Sequence, residues 1–457
     1  MKLKWHVITF FILLISFNAW GQEGPTPISL QECIRIAFER NADVQISRNA
    51  AQIAGHNYTA SYSSVLPRVN TNYSATNFRS GDATTQQDVP VFDSTNTVVG
   101  FVNQEVTNPG FERNSYRASL DVGLDLFDGG AMWNNIRKSK ADKNAAYHSL
   151  NVQIDQTITA VAENYLNLLK QEKLLEVNTL AVQRSQDNLD RSEKMFEIGS
   201  VAKVDVFRAR VNLGNDRISL ISQRNTVHQA KQTLNVAMGR EPNTPLEISK
   251  DVNFDYQLPP LESLLNSAMD QQPEIKRREM ELRSRELNVS LSKSSFLPSL
   301  SAFFSYGRSN SVFDKIYSDV NQNWSVTVGV QGSFNLFNGF QDMVNHQNAK
   351  LNVKSTQIDL EAYKRTLVSN ISTTYQRYKD LLEIIEINKE NLEAAKEEYR
   401  LATERYRLGS GTSLDVREAQ VNLTDAERIL VAAEYDLIIT YAQLQEAVGD
   451  IQQALNL

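Results

Sequence analysis

Hydrophobic and polar positions along the chain follow two different periods. From Ser119 to Phe127 apolar residues alternate with polar or small ones, and Ser325 to Leu336 does the same with Val326, Val328, Val330, Phe334 and Leu336. Arg68 to Ala75 sets Val69, Thr71 and Tyr73 against Asn70, Asn72 and Ser74. Ser299 to Tyr306 sets Leu300, Ala302, Phe304 and Tyr306 against Ser301 and Ser305. Period two predicts four strands, each with one greasy and one wet face. Such strands suit a sandwich surface or a lipid-facing barrel with a polar interior.

The rest of the chain reads as helix. Ala131 to Glu197 contains neither Pro nor Gly, enough for about 100 Å of helix at 1.5 Å per residue. Its counterpart runs from Gln341 to Arg407. Within the second stretch Ile371, Tyr378, Ile385, Leu392, Tyr399 and Tyr406 recur every seven residues, and Val161, Leu168, Leu175, Val182, Leu189 and Phe196 form the equivalent row in the first. Sustained heptads predict coiled-coil packing with a left-handed supercoil. Leu367, Leu381, Ala395 and Ala402 widen the second seam, whereas the first carries Thr157, Asn164, Gln171, Asn178, Ser185 and Ser192 there and is wetter. Shorter helices are predicted from Ser29 to about Ser64 and from Lys203 to about Met238. Gly199 and Gly409 break the helices at their far ends, where positive φ is useful.

These patterns occur twice. Met195 to Leu213 and Arg405 to Leu423 share eight identities in nineteen positions, at an offset of 210 that holds from Leu120/Val330 to Gly239/Gly449. Upstream the offset is 231, pairing Leu30 with Leu261 and Leu66-Pro67 with Leu297-Pro298, so the first copy carries 21 extra residues between Pro67 and Leu120. The predicted organisation is a first repeat over 22–239, with hairpin 68–127, long helix 131–197, tip 198–202 and helix 203–238. A Pro-rich linker over 240–260 leads to a second repeat over 261–457, with hairpin 299–337, long helix 341–407, tip 408–412 and helix 413–448. The excess, within Arg79 to Asn114, is read as an exposed loop or an extended hairpin above a membrane, with a receptor or plug role as the alternative. Asp128-Gly129-Gly130 and Asn338-Gly339 mark the change from strand to helix and read as caps.

Composition narrows the function. Lys plus Arg is 47 against 54 for Asp plus Glu, a net charge of −7, which disfavours a nucleic-acid partner. The single Cys33 excludes an internal disulfide and a Cys-based zinc site. The five histidines are scattered and no phosphate loop, HExxH or nucleophile elbow is present, so neither a metal, a cofactor nor an enzyme activity is expected. Lys2 and Lys4, the apolar stretch from Val7 to Phe17 and Ala19-Trp20-Gly21 read as a secretory signal peptide over 1–21. No later stretch is apolar enough for a spanning helix, so a membrane would be entered with strands. Four strands cannot close a barrel, and the chain is expected to oligomerise: three copies give twelve strands and a channel.

The tandem repeat, the Leu-Pro before each first strand, the Leu-Phe-Asp/Asn-Gly junction and the tip pattern Tyr406, Gly409, Asp415, Val416, Ala419, matched by Phe196, Gly199, Asp205, Val206, Ala209, carry a resemblance. The whole mature chain resembles the TolC-like outer-membrane factors, exit ducts of tripartite efflux pumps and type I secretion systems. The resemblance implies a homotrimer in the outer membrane of a Gram-negative bacterium, with a twelve-stranded transmembrane β-barrel and an α-helical barrel of twelve helices in the periplasm. It also implies a periplasmic adaptor protein docking at the tips, here Gly199, Ser200, Gly409, Ser410 and Gly411, and an inner-membrane transporter behind it. Asp415 and Glu418 match inward acidic residues that narrow the tunnel, and Asp205 matches their first-copy counterpart. Gly411 stands where some relatives carry a basic residue, which leaves Tyr406 and Arg208 as candidates for the closed-state lock. Helix capping is the alternative role for Asp415 and Asp205. A structural or adhesive trimeric coiled coil of the cell surface is the competing class; it accounts for the heptads but not for the amphipathic hairpins.

Overall fold

The computed structural model describes residues 27–250 and 258–455. The expected signal segment 1–21 and the centre of the linker lie outside them. In chain order the elements are α1 (Leu30–Arg40), α2 (Ala42–Ser61), β1 (Arg68–Ser80), β2 (Ala83–Phe92), β3 (Val98–Asn108), β4 (Phe111–Asp128), α3 (Ala131–Glu197) and α4 (Lys203–Ala237). The second half adds α5 (Leu261–Gln271), α6 (Pro273–Ser294), β5 (Ser299–Asn310), α7 (Lys315–Ser318), β6 (Trp324–Ser333), α8 (Gln341–Arg407), α9 (Ser413–Val448) and α10 (Ile451–Ala454). The chain divides into two compact units. One comprises the described residues up to Ile46 with Val152–Gln272 and those from Leu367; the other comprises Ser47–Asn151 and Pro273–Thr366.

The unit holding the strands is built on one antiparallel sheet of order β1-β4-β5-β6. Both hairpins share one register: Arg68 pairs with Gly123 and Thr71 with Leu120, and at the repeat-related positions Ser299 pairs with Ser333 and Ala302 with Val330. The strand predicted to reach Leu336 ends at Ser333. Its next partner would be Pro298, which has no N–H to offer the ladder. The 21-residue excess forms β2 and β3, a separate two-stranded ribbon in which Val89 pairs with Val102 and Pro90 with Phe101. It joins the main hairpin through a tight neck, where a Cβ on Gly110 would lie 2.3 Å from the Ser80 carbonyl oxygen. Only glycine fits there.

The other unit is a helical core. Cys33, Ile34 and Ala37 of α1, Ile158, Val161, Tyr165 and Leu168 of α3, and Val227, Ala230 and Leu234 of α4 pack into one buried cluster with Met238, Leu246 and Ile248. The Tyr165 hydroxyl donates to the carbonyls of Ser249, at 2.6 Å, and Ile28, at 3.3 Å. The single helix expected from Ser29 to Ser64 is broken at Asn41, which is extended at ψ 128°. Its side chain accepts from the Asp43 and Val44 amides and donates to the Ala237 carbonyl, capping one helix while holding the end of another. Gly239, at φ +72°, lets that end pass so close that a Cβ would lie 2.5 Å from Arg40 backbone atoms. Along α8, Ile371, Tyr378, Ile385 and Tyr406 are buried, with Tyr378 and Ile385 packing on Ala433, Leu437 and Tyr441 of α9. Phe196, in the equivalent α3 row, is exposed.

Candidate functional site

Two places in the molecule combine exposure with organised polar chemistry. The first is one face of the sheet. Cross-strand pairing puts Val69, Tyr73, Leu120, Val122, Phe304, Tyr306, Val326 and Val328 on one face, and Asn72, Ser119, Asp121, Ser305 and Thr327 on the other. On the polar face Asp121 gathers three strands: it accepts from Asn72 Nδ2 at 2.9 Å, Ser119 Oγ at 2.8 Å and Ser305 Oγ at 2.5 Å. The apolar face is suited to hydrocarbon and the polar face to water.

The second place is the pair of helix tips. Gly199 and Gly409 both sit at φ +76° with open space where a Cβ would be. The closing hydrogen bonds repeat: the Ser200 amide donates to the Met195 carbonyl at 2.8 Å and the Ser410 amide to the Arg405 carbonyl at 2.9 Å. Gly411 passes close to α8, where a Cβ would come within 3.1 Å of Arg405 Cβ, which favours the smallest residue at this position.

The equivalent acids do different work at the two tips. Thr412 accepts from the Asp415 amide at 3.2 Å, and the Asp415 carboxylate accepts from the Thr412 amide at 2.9 Å, a reciprocal capping box. Those bonds from Thr412 hold the Asp415 carboxyl below the usual aspartate range. In the first copy Ala202 occupies the cap position and offers no side-chain acceptor. Asp205 therefore turns to the other tip: it accepts from Ser413 Oγ at 2.9 Å and pairs with Arg208 at 3.2 Å. Tyr406 is buried with its hydroxyl 3.4 Å from Ser192 Oγ, so within the protomer it and Arg208 have separate partners and are not brought together. Glu418 is exposed one turn after Asp415.

Sequence reasoning missed a polar seam between α9 and the first-copy helices. Asp216 of α4 is its centre: it receives both guanidinium arms of Arg417, at 2.7 and 3.1 Å, and hydrogen bonds from Ser185 of α3 and from Gln420. A cleft of about 500 Å³ opens beside it, lined by Asn178, Ser219, Gln223 and Thr424 among others. Arg184 pairs with Glu427 at 2.6 Å and Lys170 with Asp436 at 3.0 Å further along α3 and α9. The signal was the wet first-copy seam, since Ser185 and Ser192 both bond to second-copy residues. Near the end of α9, burial raises the carboxyls of Asp155 and Glu446 above their usual range, Glu446 further through the charges of Glu163 and Asp155. Among the described residues no group of His, Cys, Asp and Glu is placed to hold a metal ion, and no helix is long and apolar enough to cross a membrane.

A family model described as outer membrane efflux protein matches residues 33–240 and 264–450, most of both repeats. The chain belongs to the outer membrane efflux protein family. It is thus an outer-membrane exit duct, with strands rather than helices as its spanning elements. The chain is 22% identical over 365 residues to the alkaline protease secretion protein AprF of Pseudomonas aeruginosa, covering 77% of this chain and 74% of that protein. It is 23% identical over 365 residues to the outer membrane protein TolC of Escherichia coli K12, covering 75% and 71%. Among solved structures it superposes on CusC with a TM-score of 0.78 at 17% identity, covering 92% of each chain. It superposes on VceC of Vibrio cholerae with a TM-score of 0.76 at 16% identity, covering 92% of this chain and 96% of that one.

Proposed function

We propose that three copies of this chain form a closed transmembrane barrel continued by a helical tunnel, through which an inner-membrane transporter, joined by a periplasmic adaptor, passes its cargo out of the cell. The observation that carries the reading is the sheet with two open edges. Among the described residues β1 and β6 each leave a row of backbone donors and acceptors without a strand partner, and each such group costs several kcal/mol in hydrocarbon. A neighbour on both sides removes that cost, and twelve strands close the ring.

The helices support the same stoichiometry. On α4 the exposed residues Val204, Phe207, Val211, Ile218 and Ile221 form a heptad stripe opposite its buried face. On α8 Ile384, Ile387 and Leu401 form another, continued by Leu408 just past the helix end. The stripes lie on different helices of the chain, so they fit each other head to tail between copies, a contact that closes into a ring. At the tips, exposed Asp415 and Glu418 would be repeated three times around one axis and act as a filter for cations. The tip turns at Gly199, Ser200, Gly409, Ser410 and Gly411 would give the adaptor six sites of two kinds.

The test is assembly and conduction together. Protein purified in mild detergent is expected to have the mass of a trimer and to conduct ions in planar bilayers. A monodisperse monomer that stays in solution without detergent would sink the barrel. A trimer that does not conduct would leave the surface-adhesin reading in its place.

A further inference from the structure

The β2–β3 ribbon has its apolar residues in the wrong place for a solvated loop. Its stem is polar, with Thr84 paired to Thr107, Gln86 to Glu105 and Asp88 to Asn103. Its outer end is apolar on both faces: Val89, Val91 and Val102 lie on one, Pro90, Phe92, Val98 and Phe101 on the other. Val91, Phe92, Val98, Val99, Phe101 and Val102 are 41–67% exposed. An isolated two-stranded ribbon is marginal in water, and an apolar patch of this kind marks a contact surface. From Gly81 to Gly110 the chain carries no Lys or Arg, so the ribbon has nothing with which to hold the phosphates of a lipid surface. Asp93, the charge nearest the end, is spent on the turn, accepting from the Thr95 amide and hydroxyl and the Thr97 amide.

Two apolar faces require two neighbours, and a threefold ring supplies them. In such a ring the valine face of one ribbon meets the aromatic face of the next, a head-to-tail contact that closes after three. The ribbon also stands at the right place. It follows edge strand β1 after two residues, at the seam where the proposed trimer joins its copies. Twelve strands about 4.8 Å apart and tilted by about 40° enclose a barrel of roughly 12 Å radius, and a ten-residue strand is nearly three times that length. We infer that the outer ends of the three β2–β3 ribbons pack face to face around the threefold axis as an apolar cap over the external mouth of the channel, each ribbon bound by second copies of itself. This inference rests on the trimer proposed above.

Cysteines test it. Val91 and Phe101 point to opposite faces of one ribbon and cannot bridge within it. The native Cys33 is buried with its thiol pushed up to about 12 by that burial, so it stays silent. Full-length protein carrying Val91→Cys and Phe101→Cys together, purified as a trimer and mildly oxidised, is expected to run as a covalent trimer on a non-reducing gel. Either single variant is expected to run as monomer. Phe101→Glu, with the trimer intact by mass, is expected to raise single-channel conductance. If the double variant is a trimer by mass but gives no covalent links, the cap is wrong. Maleimide labelling then tells whether the ends lie in water or are covered by lipid, and either outcome overturns it. Unchanged conductance of a trimeric Phe101→Glu overturns it as well. If no trimer forms at all, the assembly reading fails first and the cap falls with it.

Discussion

Replacing Arg417 by Gln isolates the polar seam between the two repeats. The side chains of Arg417 and Asp216 are 20% and 15% exposed. Removing one member of a fully buried ion pair costs about 3–5 kcal/mol, because a desolvated charge is left alone. Here water reaches both groups, and Ser185 and Gln420 still donate to Asp216, so about 2 kcal/mol is the reasonable loss. Asp216 and Ser185 belong to the first copy and Arg417 and Gln420 to the second. If the proposed gate opens by parting the two repeats at this level, it breaks the cluster, whereas the arrangement with the repeats together keeps it. The loss should therefore fall on the closed state and raise the open-to-closed ratio about 30-fold, at 1.4 kcal/mol per tenfold. Single-channel recording reads that ratio directly. Asp216→Asn should act in the same direction, and the double variant should be less than additive by about 1.5 kcal/mol. A shift below about threefold in a trimeric Arg417→Gln, or strict additivity, would show that the seam is not stressed by opening and that the reasoning fails.

The buried carboxyls make stability depend on pH. Asp155 and Glu446 have raised values in the folded chain, so their contribution is fully present below the ordinary carboxylate range and is lost as pH rises through those raised values. Glu446→Gln should flatten the fall in melting temperature as pH rises above the ordinary carboxylate range; parallel curves for variant and wild type would count against it. Gly239→Ala should unfold the helical core, because its Cβ would lie 2.5 Å from Arg40 backbone atoms at φ +72°. Gly199→Glu and Gly409→Glu, in open space, should cost only about 1 kcal/mol each for positive φ and leave the trimer intact while abolishing transport; unimpaired transport in both places adaptor docking elsewhere. Asp415→Ala with Glu418→Ala should reduce cation selectivity and block by multivalent cations, and unchanged values would leave Asp415 as a cap alone.

The features legible in the chain were the periodic ones. The row from Ile371 to Tyr406 could be read because one face of a helix repeats its demand every seven residues, and four of its six members are buried. The two-faced strands were legible for the same reason. Asn41 was not, since its role depends on the Ala237 carbonyl 196 residues away. Nor was the Asp216–Arg417 pair. Its repeat equivalents are Ala426 and Phe207, so the internal symmetry that exposed so much else gave no hint of it. Asp205 and Asp415 look alike in an alignment and differ because a single cap residue, Ala202 against Thr412, decides where each carboxylate turns.

The shared register of the two hairpins reaches beyond one chain. β4 is repeated as β6 and β1 as β5, so in the proposed trimer the internal β4–β5 junction serves as a template for the junction between copies. Leu120 opposite Tyr306 translates, through the offsets of 210 and 231, into Val330 opposite Ala75 of the partner subunit. Val122 opposite Phe304 translates into Gly332 opposite Tyr73 of the partner subunit. Both pairs keep apolar side against apolar side. In the proposed trimer the wall of the duct would be made of six nearly equivalent staves, joined alternately by a covalent linker and by association. A gene encoding one stave could have built the same tube from six subunits. Joining them in pairs lets alternate tips differ, as Ala202 does from its repeat equivalent Thr412 and Arg208 from its repeat equivalent Glu418.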